Sequence, residues 1–326
     1  MSRPSHIFIV GSSRTGTSLM RNILNSSKDV ALCYESQFLS APKTVTSLYK
    51  WLLKVPESAG FYRKTHLLKK LPSPGAWETF QRVGDISTDV GAKKVVEYIY
   101  QRRPAFWYWL ADNIDREEFL RMVLESDRTE RSFLNLLLTL YARGKLTCGE
   151  KTPYYIHHVP TLLEWFPNAK IVHMFRDVRA IFVSQQRKKF NREAPRISIF
   201  HHLSRRSRSV HEVYISMGVA IQWLRIVQLH SQYAKAYPKN YYLCRAEDVF
   251  TKPADTLPKL CDFLEIEFTD TMLQQSVRNS SFNALNEMQG LDAAASDRWR
   301  QHVPPTLERW LTFFMKKHLL EFGYEL

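Results

Sequence analysis

Apolar residues in this chain gather in short β-branched runs, separated by longer stretches with helical spacing. His6-Ile7-Phe8-Ile9-Val10 leads into Gly11-Ser12-Ser13-Arg14-Thr15-Gly16-Thr17-Ser18, after which Leu19, Met20, Ile23 and Leu24 recur at the period of one helix face. Strands are predicted near 6–10, 30–33, 146–149, 170–175 and 241–245, with helical patterns over most of the intervening sequence. This alternation predicts an α/β fold in which a parallel sheet is covered by helices. From about 41 to 145 the chain turns helical, charged and aromatic, broken at Pro72-Ser73-Pro74-Gly75. We read that stretch as a helical insertion over the active-site end of the sheet, within a single domain spanning 1–326. After Pro304-Pro305, the spacing of Leu307, Trp310, Leu311 and Phe314 predicts an amphipathic helix, and Gly323 marks its stop.

The opening turn carries the first candidate chemistry. A strand, a turn rich in Gly, Ser and Thr, and a helix start converge backbone N–H groups and the positive end of a helix dipole on an anion. The turn departs from a nucleotide-triphosphatase phosphate loop at one place: Gly16 is followed by Thr17 and Ser18, with no lysine, and Arg14 lies inside the loop. The missing lysine argues against ATP or GTP hydrolysis and leaves room for a nucleotide whose transferred group is not a γ-phosphate. Thr17 and Ser18 also suit helix capping, which coexists with anion binding at one helix start. A second strand, 170–175, runs into Arg176-Asp177-Val178-Arg179 and then a helix bearing Ser184. Arg176 falls at the carboxyl end of a strand, where open α/β sheets bind ligands. Arg179 has Asp177 as a ready partner.

Charge sharpens the expectation. Among 326 residues, Lys and Arg number 46 against 32 Asp and Glu, a formal net charge of +14. That excess favours an anionic partner. The run Arg205-Arg206-Ser207-Arg208 reads as a solvated basic face, and no nucleic-acid-binding motif is recognised. Cys33, Cys148, Cys244 and Cys261 form no CxxC pair and read as buried thiols. No signal-peptide core or membrane-length apolar run is present, so a cytoplasmic location is expected.

Together these segments resemble the sulfotransferases that use 3′-phosphoadenosine-5′-phosphosulfate, nearest to the branch holding protein-tyrosine sulfotransferases and related bacterial enzymes. The likeness runs through the loop at 11–18, Gly149-Glu150-Lys151-Thr152-Pro153, the segment 176–184, Arg245-Ala246-Glu247-Asp248-Val249 with the helix near 256–263, and Asp297-Arg298-Trp299-Arg300-Gln301-His302. It implies a P-loop-like three-layer fold, a central parallel sheet with helices on both faces, and 3′-phosphoadenosine-5′-phosphosulfate as donor with no metal required. By the same resemblance, Ser13, Arg14, Thr15, Gly16, Thr17 and Ser18 bind the 5′-phosphosulfate, and Arg176 and Ser184 bind the 3′-phosphate. Trp299 and Arg300 close over the nucleotide, although a core role competes for Trp299. Glu35 stands where that branch has its general base, and Lys151 stands at the active-site lysine that neutralises the leaving phosphate. An exposed carboxylate with an ordinary pKa near ~4.3 is a poor base, so partial burial of Glu35 is expected to help. His157 and His158 are weaker base candidates.

Two departures limit the likeness. Ala246 stands where a tyrosine often precedes Glu-Asp, and Ser296-Asp297 stands where a glycine and a basic pair often occur. Ser280 and Ser281 are loose candidates for assisting the sulfuryl group. The acceptor is a hydroxyl on a phenol, peptide tyrosine, carbohydrate or lipid. Phe106-Trp107-Tyr108-Trp109 either lines an aromatic acceptor site or packs a core or lid, the second being the more common use of such a cluster. No dimer surface is legible. The competing functions are a magnesium-dependent nucleotide kinase and a noncatalytic nucleotide-binding protein.

Overall fold

Among the described residues, five short runs pair into one sheet. The computed structural model describes residues 6–40, 75–102, 107–191, 207–275, 291 and 293–326. The strands are β1 (His6–Gly11), β2 (Val30–Tyr34), β3 (Thr147–Lys151), β4 (Lys170–Phe175) and β5 (Tyr241–Arg245), all parallel, in the order β2-β3-β1-β4-β5. They match the five predicted runs. The first strand sits at the centre, with Ile9 opposite Lys151 on one side and Val172 on the other.

Alternation along the strands feeds two cores. Ile7, Ile9, Leu32, Val172 and Met174 face α1 (Thr17–Asn25) and the later helices α10 (Ala246–Thr251) and α11 (Pro253–Leu264). Phe8, Val10, Cys33, Ile171 and Phe175 face the larger second core. That core receives α6 (Glu130–Ala142), α7 (Val159–Trp165), α8 (Val178–Asn191), α9 (Arg208–Ala236) and α12 (Pro305–Glu321). Helices therefore cover both faces, as an all-parallel sheet requires.

Between β2 and β3 the described residues form α2 (Ala76–Val83), α3 (Asp89–Arg102), α4 (Tyr108–Asn113), α5 (Arg116–Glu125) and α6. Asp115 caps α5 by accepting from the N–H groups of Glu117 and Glu118, and Thr129 caps α6 through Ser132 N–H. Their apolar faces close around Phe38, Phe80, Trp107, Phe119 and Phe133. Trp107 is thus a core residue, Trp109 packs edge-on against Tyr141, and Tyr108 is exposed. Phe106 lies outside the described residues.

The last helix forms where expected, but with a different buried stripe. Leu307, Leu311, Met315 and Leu319 face inward, whereas Phe314 is 59% exposed. The helix lies against α8 and α9 along its i, i+4 row, so a residue three positions on from Leu311 rotates out. Gly323 does end it: at φ +70 its N–H donates to Leu320 O, and Tyr324 N–H donates to Leu319 O, the paired bonds of a Schellman stop. All four cysteines are free and buried. No helix among the described residues is long and apolar enough to cross a membrane.

Candidate active site

Parallel pairing brings every strand's carboxyl end to one edge of the sheet. Along that edge lie Glu35 after β2, Lys151 ending β3, the Gly11 to Gly16 turn after β1, Arg176 after β4 and Ala246 after β5. The chain leaves β1 toward β2 and leaves β4 toward β5. A crevice therefore opens between the ends of these two adjacent strands.

The turn after β1 needs both of its glycines. A Cβ at Gly11 would stand 2.4 Å from Met174 O, and its φ is +146. Gly16 takes φ +85 and is itself the N-cap of α1, with no side chain capping the helix. The capping expected of Thr17 and Ser18 therefore does not occur: the left-handed turn at Gly16 carries both hydroxyls past the cap position and into the helix. Thr17 is buried and Ser18 exposed. Thr15 Oγ1 donates to Ser12 O at 2.8 Å and tightens the loop, while Ser13 is exposed. Arg14 adopts φ +75, a conformation uncommon outside glycine.

Arg14 reaches across the crevice. Its Nε donates to Ser184 Oγ on α8 at 2.8 Å, and Arg176 donates to Arg14 O at 3.1 Å. Arg176 also donates to Ala295 O at 3.0 Å, and its backbone carbonyl accepts from Trp223 Nε1 of α9 at 2.9 Å. Its Nε is buried with no partner among the described residues. Burial pulls the Arg176 guanidinium pKa down, partly offset by Glu247 and Asp177. Arg14 thus forms one cluster with Arg176 and Ser184, from which it is widely separated in sequence.

A buried frame stands behind it. Asp177 takes Arg179 side-on through paired bonds, 3.1 Å to Oδ1 and 2.7 Å to Oδ2, both side chains being almost wholly buried. Asp177 N–H donates to Glu247 Oε1, and Tyr324 OH donates to Glu247 Oε2, each at 3.1 Å. Burial pushes the Glu247 carboxyl up, against the pull of Arg176. Arg179 lies 4.3 Å over the Trp299 ring and donates to Glu325 O, and Arg300 lies 4.9 Å from the same ring while pairing with Glu325 and Asp297. Trp299, 4% exposed, belongs to the core as well as to this frame.

At the other side of the turn, Lys151 Nζ meets Glu35 Oε1 at 2.5 Å. The lysine side chain is 3% exposed and Glu35 29%, so the carboxylate is partly buried and reaches solvent. The Lys151 ammonium is also 5.3 Å from the Tyr34 ring, which Arg21 covers at 3.6 Å. Glu150, the neighbour of Lys151, is fully buried. It accepts from Ser36 N–H at 3.1 Å, Ser36 Oγ at 2.7 Å and the Thr152 hydroxyl. Burial pushes its carboxyl up to about 7, against these donors.

The other residues that the sequence pointed to have surroundings of their own. His158 Nε2 bonds Ser40 O at 2.8 Å, and burial lowers both His158 and His157, the latter to about 4. Ala246 is buried beside Gly16. Ser280, Ser281, Arg205 and Arg206 lie outside the described residues. A cavity of about 350 Å³ lined by Asn25, Val30, Trp109, Tyr141 and Lys145 opens at the opposite end of β2. The sequence did not single out Glu150, Trp223 or Tyr324; only the Glu150 position, beside a proposed active-site lysine, offered a signal.

Residues 4–270 match the model of a family described as the sulfotransferase family. Among solved structures, the sulfotransferase domain of the Synechococcus PCC 7002 olefin synthase is similar at 17% identity and a TM-score of 0.52, over 100% of this chain and 97% of that one. The sulfotransferase domain from the curacin biosynthetic pathway is similar at 16% identity and a TM-score of 0.50, over the whole of both chains. These likenesses establish a shared α/β fold. No curated protein matches the chain.

Proposed function

The chain belongs to the sulfotransferase family, and from that premise we propose that it moves a sulfuryl group from 3′-phosphoadenosine-5′-phosphosulfate to an acceptor hydroxyl. The observation that carries this reading is the contact of two remote segments: Arg176 donates to the Arg14 carbonyl, and Arg14 donates to Ser184. One anion-binding turn and one cation-rich strand end thereby share a crevice, as a donor with phosphate groups at both ends of its ribose needs. The unpartnered Nε of Arg176 is a buried donor that a 3′-phosphate would satisfy.

In this reading the turn from Ser13 to Ser18 holds the 5′-phosphosulfate by backbone N–H groups and hydroxyls. The acceptor oxygen forms a bond to sulfur as the bond from sulfur to the 5′-phosphate oxygen breaks, and the electron pair leaves on that phosphate. Glu35 takes the hydroxyl proton. Lys151, its ion-pair partner, offsets charge on the departing phosphate. Arg300 leaves Glu325 to close, with Trp299, over the nucleotide. The helices between β2 and β3 form the acceptor side of one catalytic unit, a reading supported by the bond from Trp107 Nε1 to Ser36 O beside Glu35. The acceptor is a phenol, peptide tyrosine, carbohydrate or lipid alcohol. The four free thiols suit a reducing, cytoplasmic setting.

Calorimetry with adenosine 3′,5′-bisphosphate, ADP and ATP in parallel tests the donor. Clear preference for the bisphosphate is expected, and preference for ATP with magnesium would turn the reading to a kinase. A screen of hydroxyl acceptors with labelled sulfate donor then identifies the second substrate.

A further inference from the structure

Glu150 is an expensive residue for its position. It lies within β3, opposite Phe8 and Cys33, both of which face the larger core. A carboxylate taken out of water there is destabilised unless donors compensate it, and an apolar side chain would serve the sheet better. Its donors are not scattered. Ser36 supplies two, from N–H and Oγ, and Ser36 is the residue after Glu35; Thr152 supplies the third, and Thr152 is the residue after Lys151.

The segment after Glu35 leaves the sheet, because β2 ends at Tyr34. The Gln37 and Phe38 carbonyls accept from the first N–H groups of α2, and the Leu39 carbonyl from Tyr154 OH, so Ser36, the residue next to Glu35, is the one that Glu150 holds. Gln37 takes φ +53, so the chain turns sharply through a conformation that a non-glycine residue adopts at a cost. The polar groups of Ser36 are spent on fixing that turn: N–H and Oγ on Glu150, and the carbonyl on Trp107 Nε1 at 2.9 Å. Tyr155 OH then accepts from Phe38 N–H at 3.0 Å and Leu39 N–H at 3.2 Å, and lies 3.5 Å from Ser36 Oγ. One buried carboxylate therefore grips the residue following each member of the ion pair.

We propose that Glu150 is a positioning residue, which fixes the turn carrying Glu35 so that its carboxylate meets Lys151 and the acceptor hydroxyl. The proposal rests on the reading of Glu35 as the proton acceptor, and its first test does not depend on that reading. Amide hydrogen exchange in the whole protein compares wild type with Glu150→Gln and Ser36→Ala. In Glu150→Gln, exchange over residues 36–39 should quicken at least tenfold while β1 and β4 keep their protection. Ser36→Ala should do the same to a smaller degree, and it covers the case in which Glu150→Gln folds poorly. Unchanged exchange over 36–39 in the folded variants would overturn the proposal.

Transfer kinetics supply the second test. Glu150→Gln should lower kcat 10- to 100-fold with the donor KM within twofold. The double variant Glu35→Gln/Glu150→Gln should be no slower than Glu35→Gln alone, because Glu150 acts through Glu35. Multiplying losses would overturn the positioning role. A Glu35→Gln variant that keeps full turnover would instead strike the functional reading, with hydrogen exchange still deciding whether Glu150 holds the turn.

Discussion

The two ends of the crevice handle charge in opposite ways. At the β2/β3 end the charges are matched: Glu35 meets Lys151, and buried Glu150 is surrounded by neutral donors. At the β4/β5 end, positive charge is held in surplus. Arg176 leans on two backbone carbonyls and keeps one N–H without a partner among the described residues, while the carboxylates nearby are committed to Arg179, Tyr324 and the backbone of Asp177. A self-contained end has its geometry set before any substrate arrives. An end with excess positive charge suits an anion from outside. The contrast separates a place suited to moving a proton from one suited to holding a ligand.

The largest expected effect breaks the first end. Glu35→Gln removes the proposed proton acceptor, so transfer should fall on the order of 10²–10⁴-fold while calorimetry gives bisphosphate affinity within twofold of wild type. A loss of affinity as large as the loss of turnover would erase the distinction between the ends. Next in size is Asp177→Ala, which strands Arg179 in a buried setting. Urea unfolding should show a cost of about 3–5 kcal/mol, and a cost below about 1 kcal/mol would mean that the frame behind the cation end is not anchored by this pair.

A third prediction sharpens the account of the first end by pH. Glu150 has an ordinary value of 4.5 and is pushed up to about 7 by burial. Between these values the folded state holds a proton that the unfolded state releases, so stability falls as pH rises through this window, by about 2–3 kcal/mol. Half-buried His157, lowered from 6.5 to about 4, runs the other way and loses stability as pH falls from 6.5 toward 4. Glu150→Gln removes only the first of these. Its cost relative to wild type should therefore shrink by about 2–3 kcal/mol between pH 5 and pH 8, and a constant cost would show that Glu150 is not strained by burial. The smallest effect belongs to Arg176→Ala. Loss of one charged contact should weaken adenosine 3′,5′-bisphosphate on the order of 10–100-fold and adenosine 5′-monophosphate hardly at all. Equal weakening of both would remove the 3′ assignment.

The framework was legible because it depends on local pattern. Four of the five strands are short, almost wholly buried runs, and the glycines of the first turn mark positions where the backbone passes Met174 or turns left-handed. The matched residues at 35, 151, 176 and 184 could be named, but their mutual contacts could not, since each pair spans more than a hundred residues or joins separate elements. Glu150 escaped notice for a physical reason: a Glu next to a Lys near a strand end reads as solvated until three donors are seen converging on it. Phe314 shows the converse error, since a helical stripe can be read from spacing while the side that neighbours cover depends on packing direction. Tyr324 and Glu325 gave no signal, because their roles come only from the helix stop that returns the chain to Asp177, Arg179 and Glu247.

The central placement of β1 has a consequence for how the protein is made. Of the five described strands, the first to be synthesised has its partners at Cys148 and beyond on one side and at Lys170 and beyond on the other. At cellular synthesis rates that wait is on the order of 10 s. Throughout it, Ile7, Phe8, Ile9 and Val10 have no strand to pair with. Such a nascent chain offers chaperones an early, apolar target, and its sheet closes late, through contacts of high sequence separation.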